Sequence, residues 1–198
     1  ISRCHNIQWA KKIALNSAYG AIGNQYFRYY DVRQAMAITL AGQFVIRFIE
    51  KNVNEYMNKI LKTHDKIDYI VASDTDSIYL TMDKLVEQVC KDKTKEQTLK
   101  FLNKVVESRI EPFLDKCFKQ LAEYTNAFAN KMVMKREVIA NKGIWTAKKR
   151  YILNVYNEEG VELKEPKLKI MGIEAVKSST PAPCRKKIKE ALKVIMNK

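Results

Sequence analysis

The sequence has little cysteine, histidine, glycine or proline, and each shortage excludes a class of protein. Its four cysteines are widely separated and form no Cys-x-x-Cys pair, which argues against a zinc site or a small disulfide scaffold and favours a reducing compartment. Its two histidines leave little material for a catalytic triad or a multi-histidine metal site. With 6 Gly and 4 Pro in 198 residues, the chain falls outside the fibrous and disordered classes.

Long apolar runs are also missing. No stretch approaches the roughly 18 consecutive apolar residues of a membrane helix, and the first residues contain no hydrophobic signal core. The chain begins with Ile1 rather than Met, so we expect a piece of a longer protein or a processed product. Its residues are 46% hydrophobic, which is enough to bury a core within one large domain, or one domain and part of another.

Positive charge is in clear excess. The 36 Lys and Arg residues outnumber the 22 Asp and Glu residues, giving a net charge of +14, which predicts a polyanionic partner. Residues 131–198 contain 17 basic and 7 acidic residues and so carry ten of these fourteen charges. The alternative is that lysines simply solvate helix faces. It stays open for the basic residues near the C-terminus: Arg185, Lys186, Lys187 and Lys189.

Apolar spacing predicts several helices. Apolar residues three and four apart indicate a first helix over Asn6–Ala18 that stops before Gly20. Pro112 should interrupt or kink a later helix, because proline removes an amide donor and clashes with the preceding turn. The further helices are predicted at Val32–Leu61, Lys84–Lys91, Lys95–Tyr124 and from about Pro183.

Strand-forming residues dominate two other regions. Tyr69–Ala72 and Ile78–Thr81 flank the polar segment Ser73–Ser77, a pattern typical of a β-hairpin with acidic residues at its tip. Three longer strands are predicted at Lys131–Ala140, Ile144–Tyr156 and Val161–Met171. The fold class is therefore α+β, with helices packed against an antiparallel sheet.

The hairpin tip is the most informative chemical feature. In an extended strand Asp74 and Asp76 would project from one face while Thr75 points away. Two such carboxylates can hold hard divalent cations such as Mg²⁺ together with substrate phosphates, which is the arrangement of two-metal phosphoryl transfer. The alternative is an Asp-rich turn whose side chains bond backbone amides.

A second candidate group lies on the first helix. Lys12, Asn16 and Tyr19 are spaced four and three residues apart, which puts a cation, an amide and a phenol on one helix face. Such a face could bind a triphosphate, contact a sugar or phosphate, and place a ring against a base pair. An ordinary polar helix face is the alternative.

Four segments together resemble the family B DNA polymerases, in the order of that family. Lys12–Gly20 is similar to motif B, Lys-x-x-x-Asn-Ser-x-Tyr-Gly, and Asp74–Ser77 is similar to motif C, Asp-Thr-Asp-Ser. Lys148–Tyr151 resembles the Lys-Lys-Arg-Tyr element that holds primer-template DNA. Lys169–Glu174 and Lys177–Pro181 resemble the palm-to-thumb passage of the tailed-phage replicative members. The match covers the chain almost end to end.

The resemblance implies a role for each matching residue. The catalytic acids would be Asp76, the principal ligand bridging two Mg²⁺ ions, and Asp74, a second acid in the same cluster. The incoming dNTP would be contacted by Lys12 and Asn16, and the minor-groove side of the nascent base pair by Tyr19. The primer-template duplex would be held by Lys149, Arg150 and Tyr151, with Lys148 supporting them. Glu137 is a further candidate acid near the metals, with a surface salt bridge as its alternative.

The resemblance also implies an architecture and partners. Residues 1–20 would end the fingers, residues 21–175 would form the palm with its antiparallel sheet, and residues 176–198 would begin the thumb. The function would be DNA-templated DNA synthesis in phage replication, in the cytoplasm of a bacterial host. The implied partners are primer-template DNA, dNTPs, the remainder of the polymerase with its motif A, exonuclease and thumb, and a sliding clamp, but no membrane.

One essential family element is missing from these residues. Motif A, Asp-x-x-Ser-Leu-Tyr-Pro, supplies another metal-binding aspartate and does not occur in the 198 residues. We therefore expect the chain alone not to polymerise DNA at a useful rate, because two-metal catalysis needs its acids preorganised together. The alternatives are a non-catalytic DNA-binding remnant of a polymerase and another two-metal enzyme such as a nuclease, which would not explain the motif B face. An RNA-templated or RNA-making variant stays open, since sugar discrimination in this family rests largely on the motif A tyrosine.

Overall fold

The computed structural model of the chain describes residues 2–63 and 67–197. The chain divides into two compact units, Ile1–Lys51 and Asn52–Lys198. No helix within the described residues is long and apolar enough to cross a membrane.

The first unit contains helix α1 (Ser2–Ile22), a loop and the first part of helix α2 (Val32–Leu61). The predicted stop before Gly20 is wrong, because α1 continues through this residue. A glycine inside a helix costs only about 0.5–1 kcal/mol relative to alanine, so a single one does not end the helix. α1 ends instead at Ile22, and the N–H of the following Gly23 donates to the Tyr19 carbonyl at 3.3 Å.

Helix α2 has the predicted bounds, Val32–Leu61. Asp31 caps its N-terminus, because its Oδ1 accepts a hydrogen bond from the Arg33 backbone N–H at 2.9 Å. The Arg33 guanidinium donates to the same carboxylate at 3.2 Å. These hydrogen bonds lower the pKa of Asp31.

In its described residues, 52–63 and 67–197, the second unit adds five strands and the remaining helices, which confirms the α+β class. The elements are β1 (Ile70–Asp74), β2 (Ser77–Leu80), α3 (Asp83–Val89), α4 (Lys95–Val105), a π-helical segment (Val106–Ile110), α5 (Glu111–Tyr124), β3 (Val138–Ala147), β4 (Arg150–Glu158), β5 (Val161–Met171) and α6 (Ala182–Asn197). The strands form two antiparallel sheets, one of β1 and β2 and one in the order β3-β4-β5.

Two asparagines of α2 fix the chain where it enters β1. Asn58 accepts from the Ile67 N–H at 3.0 Å and donates to the Ile67 carbonyl at 2.7 Å. One turn earlier, the Asn54 side chain accepts from the N–H of Tyr69 at 2.8 Å. Tyr69 is fully buried, so the start of the hairpin is anchored by both polar contacts and packing.

The interruption predicted at Pro112 is present, but it begins upstream of that residue. Residues Val106–Ile110 form the π-helical segment, and Pro112 lies directly after it, in the first turn of α5. The apolar side chains along one face of helix α5 are buried.

The predicted strands Lys131–Ala140 and Ile144–Tyr156 are displaced toward the C-terminus, where the structure has β3 and β4. Gly143 lies inside β3 rather than in a turn. A Cβ at this position would come within 2.5 Å of the Trp145 ring, so the glycine makes room for that ring. The connecting turn lies later and includes Lys149, whose φ is +61°.

Strand β4 is the centre of the three-stranded sheet and carries its core. Tyr151, Leu153 and Val155 are buried and pack against partly buried apolar side chains that include Tyr79 and Trp145. Tyr79 belongs to β2, so the two-stranded sheet contacts the three-stranded one through side chains.

Arg136 connects the sheet to the helices of the second unit. Its guanidinium, 9% exposed, donates to Asn157 Oδ1 at 2.7 Å and to Asn103 Oδ1. It also lies 3.9 Å from Glu107 Oε1 in the π-helical segment. The Arg136 backbone N–H donates to Glu111 Oε1 at 3.3 Å.

Candidate active site

We call residues 70–80, which comprise β1, β2 and the turn between them, the acidic hairpin. Asp74 pairs with Ser77, which leaves a two-residue turn of Thr75 and Asp76. The Asp76 N–H donates to the Asp74 carbonyl at 2.6 Å, and φ of Thr75 is +54°. These features describe a γ-turn of the rarer, left-handed kind.

The extended conformation predicted for Asp74–Asp76 is therefore wrong. A left-handed φ at Thr75 breaks the side-chain alternation of a strand, because alternation needs extended backbone at every residue. Asp74 is half-buried at the end of β1, and Asp76 is exposed in the turn. Thr75 Oγ1 donates to Asp74 Oδ1 at 3.0 Å, and Ser77 Oγ donates to the Asp74 carbonyl at 3.2 Å.

We call Lys148 and Lys149, the two residues between β3 and β4, the lysine turn. Ala147 pairs with Arg150 across it. Thr146 Oγ1 donates to the Arg150 carbonyl at 3.3 Å, which closes the turn further. The result is a tight loop that presents two ammonium groups, followed by the exposed Arg150 at the start of β4.

The acidic hairpin and the lysine turn meet, although they are far apart in sequence. Lys149 Nζ lies 3.6 Å from Asp74 Oδ1. A cavity of about 310 Å³ lies between the two segments, and Asp74, Lys148 and Lys149 contribute to its wall. The structure thus brings together three residues that the sequence assigned to two different motifs.

Three aromatic residues form the floor of this cavity. The ring centroid of Tyr79 lies 5.4 Å from that of Trp145 and 5.3 Å from that of Tyr151. Burial, followed by a hydrogen bond with the Tyr151 hydroxyl, raises the pKa of Tyr79 to about 12. The Tyr79 phenol is therefore neutral at physiological pH and packs beneath the charged turn.

Tyr151 is one of the residues predicted to hold DNA, and the structure places it in this floor. It is 8% exposed, whereas Lys148, Lys149 and Arg150 are exposed. In this structure Tyr151 supports the lysine turn from below.

The chemistry of Asp74 and Asp76 suits Mg²⁺. Carboxylate oxygens are hard ligands, and Mg²⁺ in proteins often takes one or two carboxylates together with substrate phosphates and water. Among residues 2–63 and 67–197, no three or more His, Cys, Asp or Glu side chains are grouped so that they could hold a metal ion. By ligand type, the two aspartates alone would supply only part of a magnesium site.

Lys12, Asn16 and Tyr19 lie on α1, in the first unit. The helix is as predicted at these positions, so the three side chains share one face, and all three are exposed. Their part in binding a nucleotide stays a prediction.

Glu137 lies just before β3, on the surface. Lys169 Nζ lies 3.3 Å from Glu137 Oε2, so the salt bridge named as the alternative for this residue is present.

Sequence reasoning missed three residues that shape the site: Tyr79, Trp145 and Gly172. The two aromatic residues look like ordinary strand residues, and only the packing of the hairpin on the sheet brings them together. Gly172 gave a faint signal, since an isolated glycine after a strand often marks a close backbone approach.

The acidic hairpin and the lysine turn carry two of the motifs by which the chain resembles family B DNA polymerases. A comparison with known families agrees, since the model of the divergent family B DNA polymerases matches residues 42–198. The chain therefore belongs to the divergent family B DNA polymerases, which confirms the resemblance. Lys12, Asn16 and Tyr19 lie outside the matched residues.

Two similar proteins are both named DNA-directed DNA polymerase. The one from Enterobacteria phage T4 is 44% identical over 199 residues, which cover 96% of this chain and 22% of that protein. The one from Escherichia phage RB69 is 45% identical over 193 residues, which cover 92% of this chain and 21% of that protein. The chain thus spans about a fifth of the length of these relatives.

Proposed function

We propose that this chain is the part of a phage replicative DNA polymerase that carries the motif B helix, the motif C acids and the primer-template contacts. The reaction would be transfer of a nucleotide from a dNTP to a primer 3′-hydroxyl on a DNA template. Family membership and the names of the two phage relatives support this proposal. The site of action would be the cytoplasm of a bacterial host.

The observation that carries the proposal is the contact between the acidic hairpin and the lysine turn, with Lys149 Nζ 3.6 Å from Asp74 Oδ1. A polymerase needs its metal-binding carboxylates close to the cations that hold the DNA backbone, because the reacting phosphate must be near both. Lysine and arginine are suited to backbone contacts that do not depend on sequence.

Asp76 and Asp74 would hold two Mg²⁺ ions together with a motif A aspartate from another segment. When bound, these ions supply positive charge for the reacting phosphates. Lys149, Arg150 and Lys148 would hold the primer-template duplex, and Tyr151 would support them from the cavity floor. On α1, Lys12 and Asn16 would contact the dNTP and Tyr19 the nascent base pair.

The proposed domains are the end of the fingers (1–20), the palm (21–175) and the start of the thumb (176–198). Besides DNA and dNTPs, the proposed partners are the remainder of the polymerase, with motif A, exonuclease and thumb, and a sliding clamp.

Primer extension tests the proposal. We expect the 198-residue chain alone to give no extension with primer-template, dNTPs and Mg²⁺. Adding a polypeptide that supplies the motif A and remaining domains of a phage relative should restore extension, and Asp76→Ala should abolish that restored activity. Extension by the isolated chain that depends on Asp76 would overturn the expected inactivity, and no extension after complementation would contradict the polymerase role.

One observation favours a second candidate, a non-catalytic DNA-binding remnant. Asp74 already has a cationic partner in Lys149, so its carboxylate does not require a metal. A pure binder should hold primer-template equally well with and without Mg²⁺ and with Asp76→Ala. A metal-dependent change in DNA affinity that Asp76→Ala removes would exclude this candidate.

A further inference from the structure

Gly172 packs directly against the backbone of the lysine turn. It follows β5 and has a φ of +67°, a region that residues with a Cβ rarely adopt. A Cβ built at this position would overlap the Lys149 carbonyl oxygen and lie 3.1 Å from Arg150 Cγ. The overlapping atom belongs to the Lys149 backbone, so a larger residue at position 172 could be accommodated only if the lysine turn moved.

The turn that Gly172 contacts is itself under constraint. Lys149 has a φ of +61°, which is costly for a residue with a side chain and is kept only where the surroundings fix it. The same residue places its Nζ 3.6 Å from Asp74 Oδ1. Moving the Lys149 peptide would therefore also move the ammonium group relative to the acidic hairpin.

We infer that Gly172 is a positioning residue for Lys149: its lack of a side chain lets the lysine turn adopt the conformation that directs Lys149 to Asp74. The consequence for DNA binding rests on the proposed function of Lys149, whereas the consequence for the turn conformation does not.

The chain offers a matched control in Gly160. This glycine also has a positive φ, +89°, but a Cβ there would meet no atom within 4 Å. Gly160→Ala therefore imposes a comparable backbone penalty without the collision. A difference between the two alanine variants reports the contact with Lys149 rather than the loss of a glycine.

The first measurement needs no DNA. Trp145 lies in β3, four residues before Lys149, and is close to Tyr79 and Tyr151, so its fluorescence reports the geometry beneath the turn. In a Trp9→Phe background it is the remaining tryptophan of the two in the sequence. We expect Gly172→Ala to change its emission or quenching and Gly160→Ala to leave both unchanged. An unchanged signal in Gly172→Ala would overturn the inference.

The second measurement is the affinity for a fluorescent primer-template at several salt concentrations. Lys149→Ala should weaken binding about tenfold, the equivalent of one charge-assisted contact, and reduce the slope of log K against log salt by about one. Gly172→Ala should produce the same two changes. The double variant, Gly172→Ala with Lys149→Ala, should bind the primer-template little more weakly than either single variant. A partly unfolded sample would lower the active fraction but leave the slope unchanged.

The remaining outcomes are also decisive. If Gly172→Ala does not fold, the titrations are repeated in a stabilising osmolyte with all variants. A variant that still does not fold, while Gly160→Ala does, would assign Gly172 to the stability of the sheet and overturn the inference. Additive effects of Gly172→Ala and Lys149→Ala in the double variant, or an unchanged salt slope in Gly172→Ala, would also overturn the inference. Failure of the unsubstituted chain to bind DNA would contradict the proposed function, while the Trp145 signal would still decide the role of Gly172.

Discussion

Thr75 carries backbone strain between the two candidate catalytic acids. It is β-branched and has a φ of +54°, in the left-handed region where a Cβ costs about 1–2 kcal/mol. The hydrogen bond from Thr75 Oγ1 to Asp74 Oδ1 offsets part of this cost. Strain of this kind concentrates at functional sites.

Tyr79 makes the stability of the site depend on pH. Its pKa is raised to about 12, first by burial and then by the hydrogen bond with Tyr151, against about 10 in an unfolded chain. A raised pKa means that the folded state favours the protonated phenol. The resulting stabilisation is fully present below pH 10 and is lost as the pH rises from about 10 to about 12.

Tyr79→Phe should remove this pH dependence. The wild-type protein should be the more stable of the two below pH 10, because only it has the Tyr79–Tyr151 hydrogen bond. The stability advantage of the wild-type protein should shrink as the pH is raised above 10, because its phenol can lose a proton on unfolding and the phenylalanine of the variant cannot. Urea unfolding of both proteins at pH 8, 10 and 11 measures the difference, and an advantage that stays constant with pH would contradict the expectation.

The residues of the site differ in how far the sequence reveals them. Asp74, Asp76 and the two lysines stand in short contiguous motifs, so their residue types and spacing identify them. Tyr79, Trp145 and Gly172 act through contacts between distant segments, which no local pattern encodes. The γ-turn was missed because strand alternation assumes a regular backbone, and Thr75 departs from it.

The bounds of helices and strands were likewise predicted where a local sequence pattern sets them, and missed where contacts between side chains set them. The bounds of α2 and β5 were predicted correctly: α2 is a long run of apolar residues at helical spacing, and β5 lies between Gly160 and Gly172. The boundary between β3 and β4 was not, because the predicted strands leave their gap at residues 141–143, whereas the actual turn consists of Lys148 and Lys149. The reason lies in tertiary packing: the Trp145 ring occupies the space over Gly143.

Arg136 is the polar link between the helical elements and the sheet. Its guanidinium bonds Asn157 beside the β4–β5 turn and Asn103 in α4, and its backbone N–H donates to Glu111 at the start of α5. Asn157 is itself buried. Loss of the guanidinium would therefore leave the buried Asn157 Oδ1 with only the Gly160 N–H as a donor and remove the donor to the half-buried Asn103 Oδ1.

Arg136→Ala should destabilise the chain by about 1–3 kcal/mol, the usual cost of a buried polar group left unsatisfied. Lys135→Ala is the matched control, because Lys135 is the adjacent, exposed cation and should change stability by less than about 0.5 kcal/mol. Urea denaturation measures both. Equal effects of the two substitutions would show that Arg136 acts only through surface charge.

At the scale of the whole chain, burial is very uneven. None of the residues of α1 is buried, and Trp9 and Leu15 are 57% and 74% exposed. α5, by contrast, buries a continuous apolar stripe: Leu114, Cys117, Phe118 and Leu121. Because most helix stability in proteins comes from packing of an apolar face, the two helices should differ in local stability.

Hydrogen exchange should show this difference directly. In the 198-residue chain we expect the backbone amides of α1 to exchange much faster than those of α5, because local opening of α1 exposes almost no buried surface. Mass spectrometry of peptic fragments after deuterium labelling measures both helices in one sample. Equal protection of the two would mean that α1 is stabilised by contacts other than burial.

The contact between Asp74 and Lys149 also has a cost in chain entropy. The lysine turn closes a loop of two residues, whereas the Asp74–Lys149 pair closes a loop of about 75 residues. The longer loop is some five doublings longer, so closing it costs roughly 3 kcal/mol more in chain entropy. An exposed ion pair contributes only about 0.2–1 kcal/mol. The pair therefore cannot hold the hairpin in place. The packing of Tyr79 against Trp145 and Tyr151 does so, and the charges select the final orientation.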